Sequence, residues 1–138
     1  MSPVVERLAE LRRHLDHLRA LRPRVSREAL ARDLSLHNDV LFSLFTLCQL
    51  VIDIAGELAA RRGDRFEDYT GAIRQLERDP CFPAGVVREL ERLPGFRNIL
   101  IHEYVALDLD RAVAALDRLD PIEQFLAIVT EIEAAEPG

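Results

Sequence analysis

Lysine is missing altogether: every one of the eighteen basic residues of this 138-residue chain is arginine. A GC-rich coding sequence produces that bias unaided, so it carries no functional weight. Cysteine is scarce. Cys48 and Cys81 stand in unrelated contexts, which excludes a disulfide framework or a cysteine-based metal motif and fits two reduced thiols in a cytosolic protein. No apolar run approaches the ~20 residues of a membrane span. The first residues, Met1 to Arg7, lack a basic segment followed by an apolar stretch, so no export signal is expected and the expected location is cytoplasmic. Strand patterning is nearly absent, as are internal repeats, low-complexity tracts and linkers. A surplus of positive charge is also lacking. The net charge is −6, which excludes a protein that grips nucleic acid over a wide basic face. An RNA substrate would have to be met by arginines concentrated in a cleft.

What is present is an ordinary globular balance, 49% hydrophobic and 30% charged, on a chain long enough to bury a core without staples. Helical periodicity dominates. Leu8, Leu11, Leu15, Leu18 and Leu21 recur at steps of three and four and predict a helix over 3–22, ended by Pro23, which removes a backbone donor and clashes with the preceding turn. Ser26 is an N-cap residue type, and a helical pattern runs from it to about Arg62 and Gly63. Val40 to Leu58 is apolar almost all round, the mark of a central helix packed on several sides. Residues 67–78 form a short helix with Tyr69, Ile73 and Leu76 on one side, and Pro83 suits the first position of the next, which turns Val86, Val87, Leu90 and Leu93 inward. Pro94-Gly95 interrupts or kinks that helix. Asp108 caps a helix over 109–119, and Asp120-Pro121 opens a last one to about Ala134. The expectation is all-α: one domain over residues 1–138, a bundle of five to six helices in up-down arrangement around one long central helix.

Three polar residues, Thr46, Gln49 and Asp53, form a narrow stripe on the central helix at spacings of three and four. Two readings stand: plain solvent exposure, or a polar site with Asp53 in its wall. His14 and His17, three apart on the first helix, are too few to make a metal site and read as an exposed face beside Arg13 and Asp16. His37 has no partner in view. Cys48 reads as core.

The segment Phe96-Arg97-Asn98-Ile99-Leu100-Ile101-His102-Glu103-Tyr104 stands apart. Polar, chemically capable residues interrupt an apolar helix at fixed spacings. Arg97 and Tyr104 are seven apart and nearly in line, Asn98 and His102 four apart on a second line, and the two lines span roughly 160° of arc. All four groups can therefore reach one cleft. The set suffices for RNA cleavage without a metal. Histidine acts as base or acid near neutrality, and arginine is a permanent forked cation able to hold two phosphate oxygens. Asn98 can orient the imidazole or donate to phosphate. No carboxylate cluster suited to magnesium accompanies them, which argues against a two-metal nuclease.

The Arg-Asn-x-x-x-His string resembles the Arg-x4–6-His motif of the HEPN superfamily, and with Phe96 before it and Glu103-Tyr104 after it the stretch is similar to the HepT-like toxins. The helical layout agrees over roughly residues 3–134. The resemblance implies a metal-independent endoribonuclease that dimerises so that two motifs share a cleft, with no cofactor, no membrane association and no DNA among its partners. It implies Arg97 and His102 as catalytic, Asn98 as supportive and Tyr104 as the residue to which a cognate minimal nucleotidyltransferase antitoxin transfers AMP. A bulky anion on Tyr104 would block a phosphate site by occupancy and by charge. Asp53 is a possible support for Arg97 or His102 that no motif string fixes. The Pro94-Gly95 break marks a departure from relatives with a smoother helix. An alternative of another class is a non-catalytic, nucleotide- or substrate-binding partner subunit of a nucleotidyltransferase; the intact Arg97 and His102 favour the enzyme, and the acidic net charge leans the other way.

Overall fold

The structure, a computed structural model, describes residues 2–103 and 105–135, and among these it is built of helices without strands. The first helix, α1 (Pro3–Leu21), begins where Ser2 accepts a hydrogen bond from the Val5 N–H and Pro3 fills a position that needs no donor. Its leucine stripe is buried as the periodicity predicts, Leu11, Leu15 and Leu18 completely. A 3-10 turn over Arg22–Arg24 carries Pro23. Ser26 caps α2 (Arg27–Arg32) by accepting from the Ala29 N–H.

The single helix expected from Ser26 to Arg62 is two. Asp33 leaves the helical region (φ −111°, ψ 101°) and its carboxylate accepts from the Leu36 N–H, so it ends α2 and caps α3 (Leu34–Arg61). A good N-cap side chain competes with its own helix interior, and apolar periodicity alone does not register that. Gly63, at φ +75°, takes the left-handed turn after α3.

By length and composition α3 is apolar enough to cross a membrane, with 56% of its most apolar 18-residue window buried. The expectation that no run reaches spanning length therefore fails for this helix. Packing accounts for the apolarity: α1, α2, α4 and α6 (Leu93–His102) all lie against α3, and Val40, Leu44, Leu47, Val51, Ile54 and Ala55 fill the centre. Between α3 and α6 come α4 (Tyr69–Arg74), a 3-10 turn over Gln75–Arg78, and α5 (Ala84–Leu90), whose N-cap is Pro83 rather than its first helical residue. Ile73 and Leu76 are buried, but Tyr69 is 44% exposed and belongs to another surface. Pro94 sits in the first turn of α6 and starts a new helix instead of kinking an old one. Asp108 caps α7 (Leu109–Leu116), and α8 (Asp120–Ala135) closes the bundle with Phe125 wholly buried against Phe82, ring centres 6.0 Å apart. Among the described residues there are eight α segments where five to six were expected, the difference arising in part from the break at Asp33 and the new start at Leu93.

His14 is not on an exposed face. Its ring lies half-buried, with Nδ1 3.1 Å from the buried Ser43 hydroxyl and its edge towards Phe42, while His17 pairs with Asp39 at 2.8 Å. His37, exposed, meets Asn38 at 3.4 Å.

Two outcomes follow. Asp33→Ala should cost about 1 kcal/mol of stability and Asp33→Gly less, read by urea denaturation; equal, near-zero effects would show that the cap does not matter. Burial holds the His14 imidazole below its ordinary value of 6.5. The folded state then binds that proton less readily than the unfolded state, so the stability cost is absent well above pH 6.5 and grows as pH falls below it. Replacing His14 by Gln should flatten that part of a stability–pH profile.

Candidate active site

Along one edge of α3, Phe45, Gln49 and Asp53 follow each other at four-residue steps, so they form one line facing α6 and α4. Arg97 reaches across from α6 into this line. Its guanidinium lies over the Phe45 ring at 5.4 Å and the Tyr69 ring at 5.3 Å, close enough for cation–π attraction to both. Nε donates to Gln49 Oε1, and Nη1 donates to Asn98 Oδ1 at 3.0 Å. Gln49 in turn donates from Nε2 to Asp53 Oδ1 at 2.8 Å.

Of the two readings of the polar stripe, plain exposure does not describe it. Asp53 and Gln49 are half-buried and joined to Arg97 in a chain of hydrogen bonds. Thr46 lies apart, its hydroxyl donating back to the Phe42 carbonyl at 2.8 Å. Asp53 touches the guanidinium only through the neutral amide of Gln49. Arg97 accordingly makes no ion pair with any carboxylate among the described residues, and its remaining N–H groups keep their capacity for an anion.

His102 ends α6 and is exposed, with no hydrogen-bond partner among the described residues. Asn98 lies one turn before it, but its carbonyl oxygen is given to Arg97 rather than to the imidazole. The structure thus gathers Arg97, Asn98 and Asp53 and leaves His102 free at the helix end; Tyr104 lies outside the described residues. Among the described residues no group of three or more His, Cys, Asp or Glu side chains could hold a metal ion.

Sequence reasoning missed Phe45 and Tyr69 as the clamp on Arg97, and took Tyr69 for core. The four-residue spacing of Phe45 to Gln49 to Asp53 was the available signal. Tyr69 carried none, because the helix that bears it is too short to show which face is buried.

The profile of the family described as Ribonuclease HepT-like matches residues 11–129. The chain belongs to the HepT-like ribonuclease family. A relative of this HepT-like chain in Archaeoglobus fulgidus, named "Putative RNase", is 30% identical over 83 residues, a span that is 60% of this chain and 63% of that protein. The match thus takes in less than two thirds of the relative's length. Among solved structures, a tri-AMPylated Shewanella oneidensis HEPN toxin in complex with its MNT antitoxin superposes with a TM-score of 0.82 at 22% identity, covering 95% of this chain and 99% of that one. A toxin–antitoxin complex with AMP-PNP does so with a TM-score of 0.82 at 21% identity, covering 93% and 97%. At such identities they establish that the HepT-like chain has the HEPN toxin fold.

Burial, opposed by the nearby charge of Arg97, pushes the Cys48 thiol up to about 12. Cys81 is exposed. Iodoacetamide at pH 8 should therefore alkylate Cys81 and spare Cys48 in the folded protein, as read by intact mass and peptide mapping; early labelling of Cys48 would mean that the α3–α6 packing opens readily.

Proposed function

We propose that this protein is a metal-independent endoribonuclease toxin acting through Arg97 and His102 at a cleft shared by two copies. One observation carries the reading: the Arg97 guanidinium is held by Phe45, Tyr69 and Gln49 with no carboxylate of its own among the described residues, on the same short helix as an exposed imidazole. A cation fixed in place but not neutralised is what a transferring phosphoryl group requires.

In the reaction, the imidazole of His102 takes the proton of an RNA 2′-hydroxyl. The 2′-oxygen attacks the adjacent phosphorus, the bond from phosphorus to the 5′-oxygen breaks, and the leaving oxygen takes a proton. The products are a 2′,3′-cyclic phosphate and a 5′-hydroxyl. Arg97 carries the negative charge that builds on the non-bridging oxygens. Asn98, its carbonyl engaged with Arg97, has its amide N–H groups left for phosphate, and Asp53 sets the angle of Gln49 and through it that of Arg97. One chain supplies a single imidazole and a single guanidinium, so the proton for the leaving oxygen and the second side of the phosphate fall to the motif of a second copy. The two neighbouring structures are of toxins bound to their antitoxins, one of them AMPylated. By analogy a nucleotidyltransferase antitoxin would silence this chain by transferring AMP to Tyr104, two residues after His102.

Purified protein should cut total RNA in EDTA and leave 2′,3′-cyclic phosphate ends. His102→Ala should lower the rate by at least ~10²-fold, and Arg97→Lys should not restore function because the fork is lost. Solution mass should report a dimer. Loss of activity with chelator would overturn the metal-free mechanism, and a monomer of full activity would overturn the shared cleft.

A further inference from the structure

On the other side of the α3–α6 pair lies a cleft that the active-site reading does not use. α6 packs on α3 and α7 packs on α2, which leaves a cavity of about 280 Å³ between α6, α7 and the start of α8. Its floor is aliphatic: Leu44, Leu47, Leu90, Leu119 and Ile122 line it and are all buried, and the small Ala114 and Ala115 of α7 leave it open.

The mouth is charged, and unevenly. Arg92, Arg111 and Arg118 line it against one carboxylate, that of Glu89. Glu89 is shared, 3.5 Å from Arg92 and 3.0 Å from Arg118, and Arg111 has no partner among the described residues. Two guanidiniums thus divide one countercharge while a third has none, in a protein whose net charge is −6. A local surplus of cation against that background is open to an anion, and it sits above a floor of leucine and isoleucine side chains with the buried Cys48 thiol among them. A nucleobase would leave its polar edges unpaired on such a floor at a cost. An aliphatic chain would not. The volume falls just below the ~300–1,000 Å³ of drug-sized ligand sites, room for one slender chain.

We propose that this cleft is a binding site for an aliphatic carboxylate, its chain on the leucine floor and its head group taken by Arg111 and Arg118. The site is independent of RNA cleavage, although Leu93 and Phe96 of its wall belong to the helix that carries Arg97.

Titration of the full-length wild-type protein with decanoate, followed by calorimetry and by NMR shifts of the leucine methyls, tests this directly. Decanoate should bind, and decanol and decyltrimethylammonium should bind at least ~10-fold more weakly, the loss expected for one charge-assisted hydrogen bond. Arg111→Ser, an exposed substitution, should weaken decanoate by a similar factor and leave decanol unchanged. Ala114→Phe, also on the exposed rim, should block both. Glu89→Gln should act in the opposite direction and tighten decanoate, since it releases Arg92 and Arg118. Equal binding of decanoate and decanol, or indifference to both Arg111→Ser and Glu89→Gln, would overturn the proposal.

Discussion

The packing of α6 against α3 is the constraint on which the rest of the molecule depends. α6 is only Leu93–His102, too short to be stable alone. It holds its shape because Leu100 and Pro94 are buried and because α3 offers a long apolar wall already supported from behind by α1. Once α6 is seated, Arg97 has one place to go, into the line of Phe45, Gln49 and Asp53. The stems and rings around it exclude water from one side while the other side stays open.

That arrangement separates two roles which a sequence motif compresses into six letters. The cation is over-determined, clamped by two rings, an amide and its neighbouring asparagine. The imidazole is left at the helix end with no hydrogen-bond partner among the described residues. Rigid placement suits the group that must meet developing charge, because reorienting a dipole or cation during reaction costs energy. The freedom of His102 within one chain agrees with a catalytic geometry completed by something outside that chain. Under the proposed function the acidic surface is no objection to an RNA substrate, since the guanidinium that would meet a phosphate has no carboxylate beside it among the described residues.

The same helix pair presents two different faces. Phe45 and Gln49 turn to Arg97, whereas Leu44, Leu47 and Cys48, adjacent in sequence, turn to the cleft bordered by Leu93 and Phe96. Steps of about 100° per residue put consecutive side chains of one helix on different surfaces, so an interior helix can line both without a residue in common.

The leucine stripe of α1, the all-round apolarity of α3, the caps at Ser26 and Asp108, and the motif string at 97–104 were legible in the sequence, because each depends on neighbours within a turn or two; Asp120, expected as a cap, is instead the first residue of α8. Asp33 as a break, the half-burial of His14, and Tyr69 facing Arg97 were not. The Asp33 break is local capping that apolar periodicity does not register, whereas the last two depend on elements distant in the chain, Ser43 for His14 and α6 for Tyr69. The two readings of Asp53 could not be separated from the sequence for the same reason, since a polar stripe looks alike whether it meets water or a guanidinium. Local periodicity, capping chemistry and the motif string determined the helical class and which polar groups the late helix carries. Only the tertiary structure decided which of those groups are held and which are free, because that depends on what packs across from each side chain.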